Sequence, residues 1–215
     1  GFGEHVAAHF LGIAVLGGTR STTDSLQNLA ARQGTALAEV SSRPLKDWIF
    51  PVLNTSQNWY AEMLLKQLGR QFGGAGSWKA GLEVERRFLI DSMKVDSTQF
   101  ALRDGSGLSS SNLVSPKAFA TLLTWMRAHP RFESFAAGLP QSGQRGSLKS
   151  RFVGTPLEGK VRAKTGSISR VNTLAGYIEL PGRTLTFAVE ANNHTLGSRV
   201  MIPQIDSVVV QMGKK

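Results

Sequence analysis

The chain has 215 residues, 41% hydrophobic and 19% charged, which is the composition of a folded globular protein rather than a disordered one. It contains no cysteine, and this excludes disulfides, thiolate catalysis and cysteine-ligated zinc sites. The net charge of +10 would attract nucleic acid, anionic lipid or an acidic wall polymer, but no run of five basic residues marks a dedicated nucleic-acid site. No apolar run approaches the ~20 residues of a transmembrane segment.

The first part of the chain predicts short elements separated by turns. Residues 4–11 have the pattern of a short helix, and residues 13–16 and 36–40 have that of short strands. Pro44 is placed to begin a helix, because proline is tolerated in a first turn. Pro51 is expected to kink or end that helix, because proline lacks a backbone N–H and its ring clashes with the preceding turn.

Two longer helices are predicted next. The first runs from Trp59 to Phe72 and is ended by the Gly-rich residues 73–76. Its apolar residues at helical spacing are Tyr60, Met63, Leu64 and Leu68. Ser77 is expected to cap the second helix, which continues to about Met93. The apolar residues of this second helix that we expect to face inward are Leu82, Phe88 and Leu89.

The second half of the chain predicts a helix, three strands and a final helix. Ser115-Pro116 has the form of a helix start that continues through Met126, and a Gly- and Ser-rich loop follows at 138–147. The strand-like segments are 161–167, 173–180 and 184–192, and a helix from about 199 to 212 closes the chain. Pro181-Gly182 has the residue order of a type II turn between the last two strands. This order predicts an α/β fold of the α+β type, with helices flanking an antiparallel sheet.

The first of these strands carries the most distinctive chemistry. Lys164, Thr165 and Gly166 stand side by side, so on an edge strand Lys164 and Gly166 would point to one face and Thr165 to the other. A cation and a hydroxyl can bind a substrate carboxylate, and a glycine lets another backbone come close. The tripeptide alone is a weak signal, and its meaning depends on the other motifs.

A Ser-x-Asn, Ser56-Gln57-Asn58, stands just before a predicted helix. The structural interpretation is a helix N-cap, which both serine and asparagine favour. A second copy, Ser110-Ser111-Asn112, shows that the pattern is common. Spacing alone does not choose between the two copies.

Three segments together resemble a known family. Residues 56–62, Ser-Gln-Asn-Trp-Tyr-Ala-Glu, are similar to the Ser-x-Asn-x-x-Ala-Glu segment of the class C low-molecular-mass penicillin-binding proteins, which are D-alanyl-D-alanine carboxypeptidases and endopeptidases. Asp104-Gly105-Ser106-Gly107-Leu108-Ser109 with Asn112 resembles a second hallmark, and residues 159–167 with the following 172–177 resemble a third. The resemblance covers nearly the whole chain and implies a β-lactamase/DD-peptidase-like fold.

One departure from the family matters. The family's nucleophile is the serine of a Ser-x-x-Lys, and no lysine of this chain has a serine three positions earlier. We therefore interpret residues 1–215 as the C-terminal part of a DD-peptidase (transpeptidase-like) domain, whose partner is the rest of its own polypeptide, with the nucleophile segment and inserted domains outside this chain. Residues 3–18 are also shorter than the corresponding family segment. A non-catalytic relative is the alternative.

The resemblance implies a role for each matching residue. The nucleophile would attack a D-Ala-D-Ala or β-lactam carbonyl with its paired lysine as base, and Ser56 would relay a proton to the leaving amine. Asn58 would bind the acyl-side amide, and Lys164 and Thr165 the terminal carboxylate. Gly166 would admit the substrate backbone, and the Ser167 N–H would be one oxyanion donor. Residues 104–109 are expected to form a structural turn bordering the cleft.

The resemblance also implies which ligands the protein binds, where it acts and whether it needs a cofactor. The ligands would be peptidoglycan stem peptides and β-lactams, the location the periplasm or cell envelope, and no metal or organic cofactor is implied. Two other functions stay open from the sequence: a non-catalytic module of the same fold that binds wall peptides, and a basic nucleic-acid binder, against which the scattered basic residues argue.

Other patterns in the sequence do not fit a known site. Residues 154–160 match most of a phosphate-binding loop, but Val161 stands where a hydroxyl is needed. His5 and His9 have helical spacing for a metal but no evident third ligand.

Overall fold

The computed structural model describes residues 41–214. The elements predicted over residues 4–16 and 36–40, and the histidine pair at 5 and 9, lie outside this range. Helix α1 spans Leu45–Leu53, preceded by Pro44 as predicted. It includes Pro51 and continues two residues beyond it, so Pro51 does not itself end the helix, and the alternative of a kink stays a prediction. A proline in the last turn removes a hydrogen bond only where the helix is already ending.

Helices α2 (Asn58–Phe72) and α3 (Trp78–Arg87) form an antiparallel pair. Ser77 caps α3 as predicted, because its Oγ accepts a hydrogen bond from the Ala80 N–H at 3.2 Å. The predicted apolar face of α2 is partly wrong, since Leu68 is 39% exposed while Leu65 is buried. The reason is the partner helix: α3 packs closest where both backbones carry glycine, next to Leu65.

That crossing depends on Gly69 and Gly81. A Cβ built on Gly69 would lie 2.6 Å from the Gly81 backbone nitrogen, and a Cβ on Gly81 would overlap the Leu65 carbonyl oxygen. Both glycines are buried. The absence of side chains therefore sets the distance between α2 and α3, and with it the position of the start of α2.

A π-helical turn, Phe88–Ser92, follows α3 and completes the segment predicted to run to Met93. Phe88 was expected to face inward, but it is 44% exposed and places its ring edge against Trp125. The core here is instead supplied by residues after the turn, Met93 and Val95, which pack on Ala118. The wider turn shifts the residues that follow it relative to an α-helical pattern.

A two-stranded sheet and two helices follow. Strands β1 (Phe100–Ala101) and β2 (Leu113–Val114) pair antiparallel. Helix α4 spans Pro116–Arg127, with the Ser115 Oγ accepting from the Ala118 N–H at 3.1 Å, so the predicted Ser-Pro start is confirmed. Helix α5, Phe132–Gly138, was not predicted.

The main sheet has the antiparallel order β3-β4-β5, with β3 at Val161–Ile168, β4 at Val171–Leu180 and β5 at Arg183–Asn192. Gly182 has a φ of 75°, the left-handed conformation that a type II turn requires, so the Pro-Gly turn between β4 and β5 is confirmed. Helix α6, Ser198–Met212, completes the described chain.

Both faces of this sheet are covered. On one face, α6 packs Ile205 and Val209 onto buried residues of the strands, which are Val161, Ala163, Leu174, Ile178 and Phe187. On the other face, Tyr177 packs against α4 and donates its hydroxyl hydrogen to the Leu123 carbonyl at 2.8 Å. Helices on an antiparallel sheet are the α+β architecture predicted from the sequence. Within residues 41–214, the helices are all too short or too polar to cross a bilayer.

We expect Gly81→Ala to destabilise the protein by about 1–3 kcal/mol, because the new methyl group would force α2 and α3 apart. Helix propensity acts in the opposite direction, since alanine favours a helix by up to about 1 kcal/mol over glycine. Urea unfolding followed by circular dichroism measures the change. Gly76→Ala is the matched control, because a Cβ there would meet its nearest atom at 3.8 Å. Equal stability of the two variants would contradict the packing argument.

Candidate active site

Ser56 and Lys164 meet although 108 positions separate them in the chain. The Lys164 Nζ donates a hydrogen bond to the Ser56 Oγ at 2.8 Å and another to the Thr165 carbonyl oxygen at 2.8 Å. Ser56 lies between α1 and α2, and Lys164 lies in the middle of β3. A hydroxyl and an ammonium group at this distance can share and pass a proton.

The backbone at Ser56 is unusual. Its φ is 56°, in the left-handed region that non-glycine residues seldom occupy, which costs on the order of 1 kcal/mol or more. Helix α2 begins at Asn58 with Gln57 at the cap position, and no side chain caps it. The N-cap interpretation of Ser56 is therefore wrong. Ser56 is exposed and directed to Lys164, and Asn58 is exposed in the first turn of α2.

A buried asparagine links the Ser56 loop to the loop beside β3. Asn54, only 5% exposed, ends α1 and donates to the Leu139 carbonyl at 3.4 Å. Gly146, with a φ of 64°, packs directly on Asn54, and a Cβ there would lie 2.9 Å from the Asn54 carbonyl oxygen. The turn that begins at Gly146 carries Ser147. Asn54 thus fixes the Ser56 loop and the Ser147 turn relative to each other.

Ser147 was not predicted as a site residue. Its Oγ accepts a hydrogen bond from the Thr165 Oγ1 at 2.8 Å. Thr165 therefore faces Ser147, whereas Lys164 faces Ser56, as the alternation of side chains along a strand requires. The only sequence signal at Ser147 was its position in the Gly- and Ser-rich loop at 138–147, which carries no information about contact with a strand.

The outer edge of β3 is covered only in its first half. The Ser142 N–H donates to the Val161 carbonyl at 2.9 Å, and the Ala163 N–H donates to the Pro140 carbonyl at 3.1 Å. In an antiparallel strand every second residue turns its backbone groups to the same edge. Thr165 and Ser167 therefore turn their backbone groups to the same outer edge, beyond the end of the covering loop.

Gly166 and Ser167 each contact β4. A Cβ on Gly166 would overlap the Thr173 hydroxyl directly across the strand pair, so a side chain here would have to displace that hydroxyl. The Ser167 Oγ accepts a hydrogen bond from the Asn172 Nδ2 at 2.8 Å. Asn172 is 1% exposed, and its Oδ1 lies 3.1 Å from the His194 Nε2. Asn172 lies in the third segment that resembles the family, but its contacts with Ser167 and His194 were not predicted.

The loop at 104–109 is held by two carboxylates. Asp104 accepts hydrogen bonds from the backbone N–H groups of Gly107 and Ser109, at 2.7 and 2.6 Å. Glu62, on α2, accepts from the N–H groups of Gly105 and Ser106, at 3.2 and 3.0 Å. The expected structural turn is thus attached to the helix that follows Ser56. Asn112, of the second Ser-x-Asn, donates to Asp104 at 2.9 Å and so belongs to this turn.

Burial and hydrogen bonding change the pKa of three groups around the site. Burial lowers the pKa of Lys164, so that its ammonium releases a proton more readily than that of an exposed lysine. Burial also acts to raise the pKa of Glu62, but its hydrogen bonds to Ser106, Trp78 and Gly105 outweigh this and lower the pKa. Glu85, on α3, has its pKa raised to about 7 by burial and by the nearby charges of Asp104 and Glu62.

The side chains that meet at the candidate site are those of serine, threonine and lysine. Among residues 41–214 no three histidine or carboxylate side chains converge to hold a metal ion. What converges is a serine–lysine pair, a second pair of hydroxyls and the outer edge of a strand. Such a set can move protons, bind a carboxylate and accept an extended ligand.

Comparisons with known proteins place the chain among peptidases. The model of the D-Ala-D-Ala carboxypeptidase 3 (S13) family matches residues 10–212. A D-alanyl-D-alanine carboxypeptidase of Actinomadura sp. (strain R39) is 38% identical over 164 residues, covering 74% of this chain and 30% of that protein. The carboxypeptidase DacB of Mycolicibacterium smegmatis is 30% identical over 203 residues, covering 91% of this chain and 44% of that protein. The chain therefore spans less than half the length of these relatives.

Solved structures give the same fold. Penicillin-binding protein 4 (dacB) from Haemophilus influenzae, complexed with a novel β-lactam, matches with a TM-score of 0.72 and 26% identity, covering 80% of this chain and 42% of that one. A β-lactamase from Sphaerobacter thermophilus matches with a TM-score of 0.55 and 21% identity, covering 83% of this chain and 66% of that one, and this shows similarity of fold alone.

The carboxylate cluster predicts a pH-dependent stability difference. Because the folded-state pKa of Glu85 is about 7 against an ordinary 4.5, the folded protein holds this proton more tightly than the unfolded chain. Stability is therefore lost as the pH rises from about 4.5 through 7. We expect Glu85→Gln to gain about 1–3 kcal/mol over the wild type between pH 5 and pH 8.

Urea unfolding at the two pH values measures this difference. Glu83→Gln is the matched control, since Glu83 lies on the same helix but is exposed. A gain of the same size in both variants would show that general surface charge, and not the buried carboxylate, is responsible.

Proposed function

The chain belongs to the D-Ala-D-Ala carboxypeptidase 3 (S13) family, and on that basis we propose that it supplies the C-terminal part of a serine-type D-alanyl-D-alanine carboxypeptidase and endopeptidase acting on peptidoglycan peptides. The observation that carries the proposal is the hydrogen bond between Lys164 and Ser56 beside the outer edge of β3. The two residues come from separate segments that resemble the family's motifs, and their side chains converge on one place.

The nucleophile lies in a part of the polypeptide outside these 215 residues. Its hydroxyl proton passes to its paired lysine while its oxygen attacks the carbonyl between the two terminal D-alanines. The C–N bond then breaks, an acyl-enzyme ester forms, and the amine of the departing D-alanine takes a proton. Water hydrolyses the ester and restores the serine.

Ser56 delivers the proton to the leaving amine. Lys164 donates to its Oγ, so the hydroxyl hydrogen of Ser56 is directed away from Lys164 and is available for donation. The lowered pKa of Lys164 favours this role, because a lysine that releases its proton more readily can restore the one that Ser56 has given up. The left-handed backbone at Ser56 holds the hydroxyl in place for both partners.

The residues after Lys164 bind the substrate. Lys164 and the Thr165 hydroxyl bind its terminal carboxylate, with Ser147 next to Thr165 as a further hydroxyl. The uncovered end of β3 accepts the peptide backbone as an added strand, next to Gly166. The Ser167 N–H is one oxyanion donor, and the N–H of the nucleophile is the other. Asn58 donates to or accepts from the acyl-side amide.

The setting follows from the substrate. Peptidoglycan lies outside the cytoplasmic membrane, so the enzyme acts in the periplasm or cell envelope. β-Lactams would acylate the same nucleophile, and the related penicillin-binding protein 4 was crystallised with a β-lactam. The net charge of +10 suits an anionic wall polymer as the surrounding surface, and the scattered positions of the basic residues argue against nucleic acid as a partner.

A non-catalytic module of the same fold is the second candidate. The observation in its favour is that no Ser-x-x-Lys occurs in the 215 residues. Such a module would bind D-Ala-D-Ala peptides or β-lactams reversibly, through Lys164 and Thr165, and would form no ester.

A labelled penicillin separates the two candidates. We expect the full-length protein to form a covalent adduct, detected by mass spectrometry, and the 215-residue chain alone to form none. Reversible binding without an adduct in the full-length protein would favour the module. A stable adduct on the 215-residue chain would contradict our placement of the nucleophile.

Substitution tests the role of Ser56. In the full-length protein, Ser56→Ala should lower the hydrolysis rate of a D-Ala-D-Ala peptide by roughly 10²-fold, which is the contribution of a positioned proton donor. Ser110→Ala, in the second Ser-x-Asn, is the matched control and should have wild-type activity. Equal activity of Ser56→Ala and Ser110→Ala would remove Ser56 from the mechanism.

A further inference from the structure

A chain of hydrogen bonds extends behind the end of β3, away from Lys164. The His194 Nδ1 lies 2.8 Å from the Leu196 carbonyl oxygen, and the His194 Nε2 lies 3.1 Å from the Asn172 Oδ1. Asn172 in turn donates from its Nδ2 to the Ser167 Oγ at 2.8 Å. Asn172 is 1% exposed, so its amide depends on these partners and not on water.

The protonation state of His194 decides which groups in this series of hydrogen bonds donate and which accept. A carbonyl oxygen only accepts, so the Leu196 contact places a hydrogen on Nδ1. If His194 is a cation, Nε2 also carries a hydrogen and donates to the Asn172 Oδ1, and the Asn172 amide donates to Ser167. If His194 is neutral and keeps its hydrogen on Nδ1 for the Leu196 carbonyl, Nε2 has only a lone pair, so the Asn172 amide then turns over and donates to it.

The two arrangements direct the Ser167 hydroxyl differently. With a cationic His194, the Ser167 Oγ accepts from Asn172, and its own hydrogen stays available to a ligand. With a neutral His194, the turned amide presents its oxygen to Ser167, whose hydrogen is then used on Asn172. Ser167 would then offer a ligand only lone pairs.

Ser167 is close to the place where the substrate carboxylate is expected. It lies two residues beyond Thr165 on β3, so both side chains are on the same face of the strand. Its side chain is exposed, whereas Asn172 behind it is buried. A hydroxyl hydrogen at this position would bind a carboxylate, and a hydroxyl that presents only lone pairs would repel it.

We propose that His194 and Asn172 are positioning residues that set the direction of the Ser167 hydroxyl, so that the site binds the terminal carboxylate of its substrate more tightly when His194 is protonated. This inference rests on the proposed peptidase function for its effect on activity, but the reversal of the hydrogen bonds does not depend on that function.

The charged neighbours of His194 are arginines. The β3–β4 turn contributes Arg170, whose carbonyl oxygen accepts from the His194 N–H at 3.2 Å and whose guanidinium lies 3.5 Å from the Asn193 carbonyl. The chain continues from Leu196 into α6, whose first turn carries Arg199. Arginine is not deprotonated in proteins whereas an imidazole can be, so His194 is the group of this cluster that can gain or lose a proton.

The direct test is an NMR titration of the full-length protein labelled with ¹⁵N-asparagine. We expect the side-chain amide signals of Asn172 to shift with the same midpoint as the His194 ring, and to become independent of pH in His194→Phe. Asn172 signals that do not change across the His194 titration would overturn the inference. This measurement stands whether or not the protein has peptidase activity.

The kinetic test uses hydrolysis of a D-Ala-D-Ala peptide by the full-length protein. We expect the ratio of KM in His194→Phe to KM in the wild type to fall about tenfold between pH 5 and pH 8. The ratio of the two kcat values should change little, because the carboxylate is bound equally in the ground state and the transition state. His129→Phe, at a histidine two residues beyond the end of α4, is the matched control and should give a constant ratio.

A substrate with a C-terminal amide isolates the carboxylate. The pH effect of His194 should disappear with this substrate, because it has no carboxylate for Ser167 to bind. A KM ratio that stays constant with pH for the carboxylate substrate would overturn the link between His194 and binding. Absence of all hydrolysis would instead overturn the proposed function and leave the NMR result to decide the inference.

Discussion

The contact between Lys164 and Ser56 is the constraint on which the site depends. It joins the middle of β3 to the loop between α1 and α2, so other contacts must fix both of these segments in position. The loop is held by the buried Asn54, which also positions the Ser147 turn, and Ser147 contacts Thr165 on the strand. The two sides of the site are therefore supported by one continuous set of contacts that passes through Asn54.

The segments that resemble the family are also parts of one structural unit. Glu62 ends the first segment, and its carboxylate binds the backbone of the second segment at Gly105 and Ser106. Burial acts to raise the pKa of Glu62, but the hydrogen bonds that its carboxylate accepts outweigh this, lower the pKa and favour the ionised form. The structural turn at 104–109 thereby fixes the start of α2, where Asn58 lies, without contributing a reactive group of its own.

The sequence correctly predicted the structural features that neighbouring residues determine. The Ser-Pro start of α4, the Ser77 cap, the Pro-Gly turn and the strand at 161–167 are confirmed because neighbouring residues determine each of them, and the family resemblance and the α+β fold are confirmed by the comparisons. The predictions that Leu68 and Phe88 face the core are wrong. The packing of α3 determines which side of α2 is buried, and the π-helical turn changes the direction in which Phe88 points. Ser147 and His194 were missed, since each meets β3 or β4 from a distant loop. The roles of Ser56, Asn58, Lys164, Thr165, Gly166 and Ser167 stay predictions.

The half-covered edge of β3 has a consequence for how the protein avoids self-association. An uncovered strand is a template on which any extended chain can add, including another copy of the same protein. Here the loop that bonds Val161 and Ala163 stops such growth and leaves only the positions at Thr165 and Ser167. Two outward residues would be enough for the tip of a peptide but are too few for a stable intermolecular sheet, and the charged Lys164 just before Thr165 adds electrostatic repulsion. The same geometry that we propose for binding a chain end thus discourages aggregation along this edge.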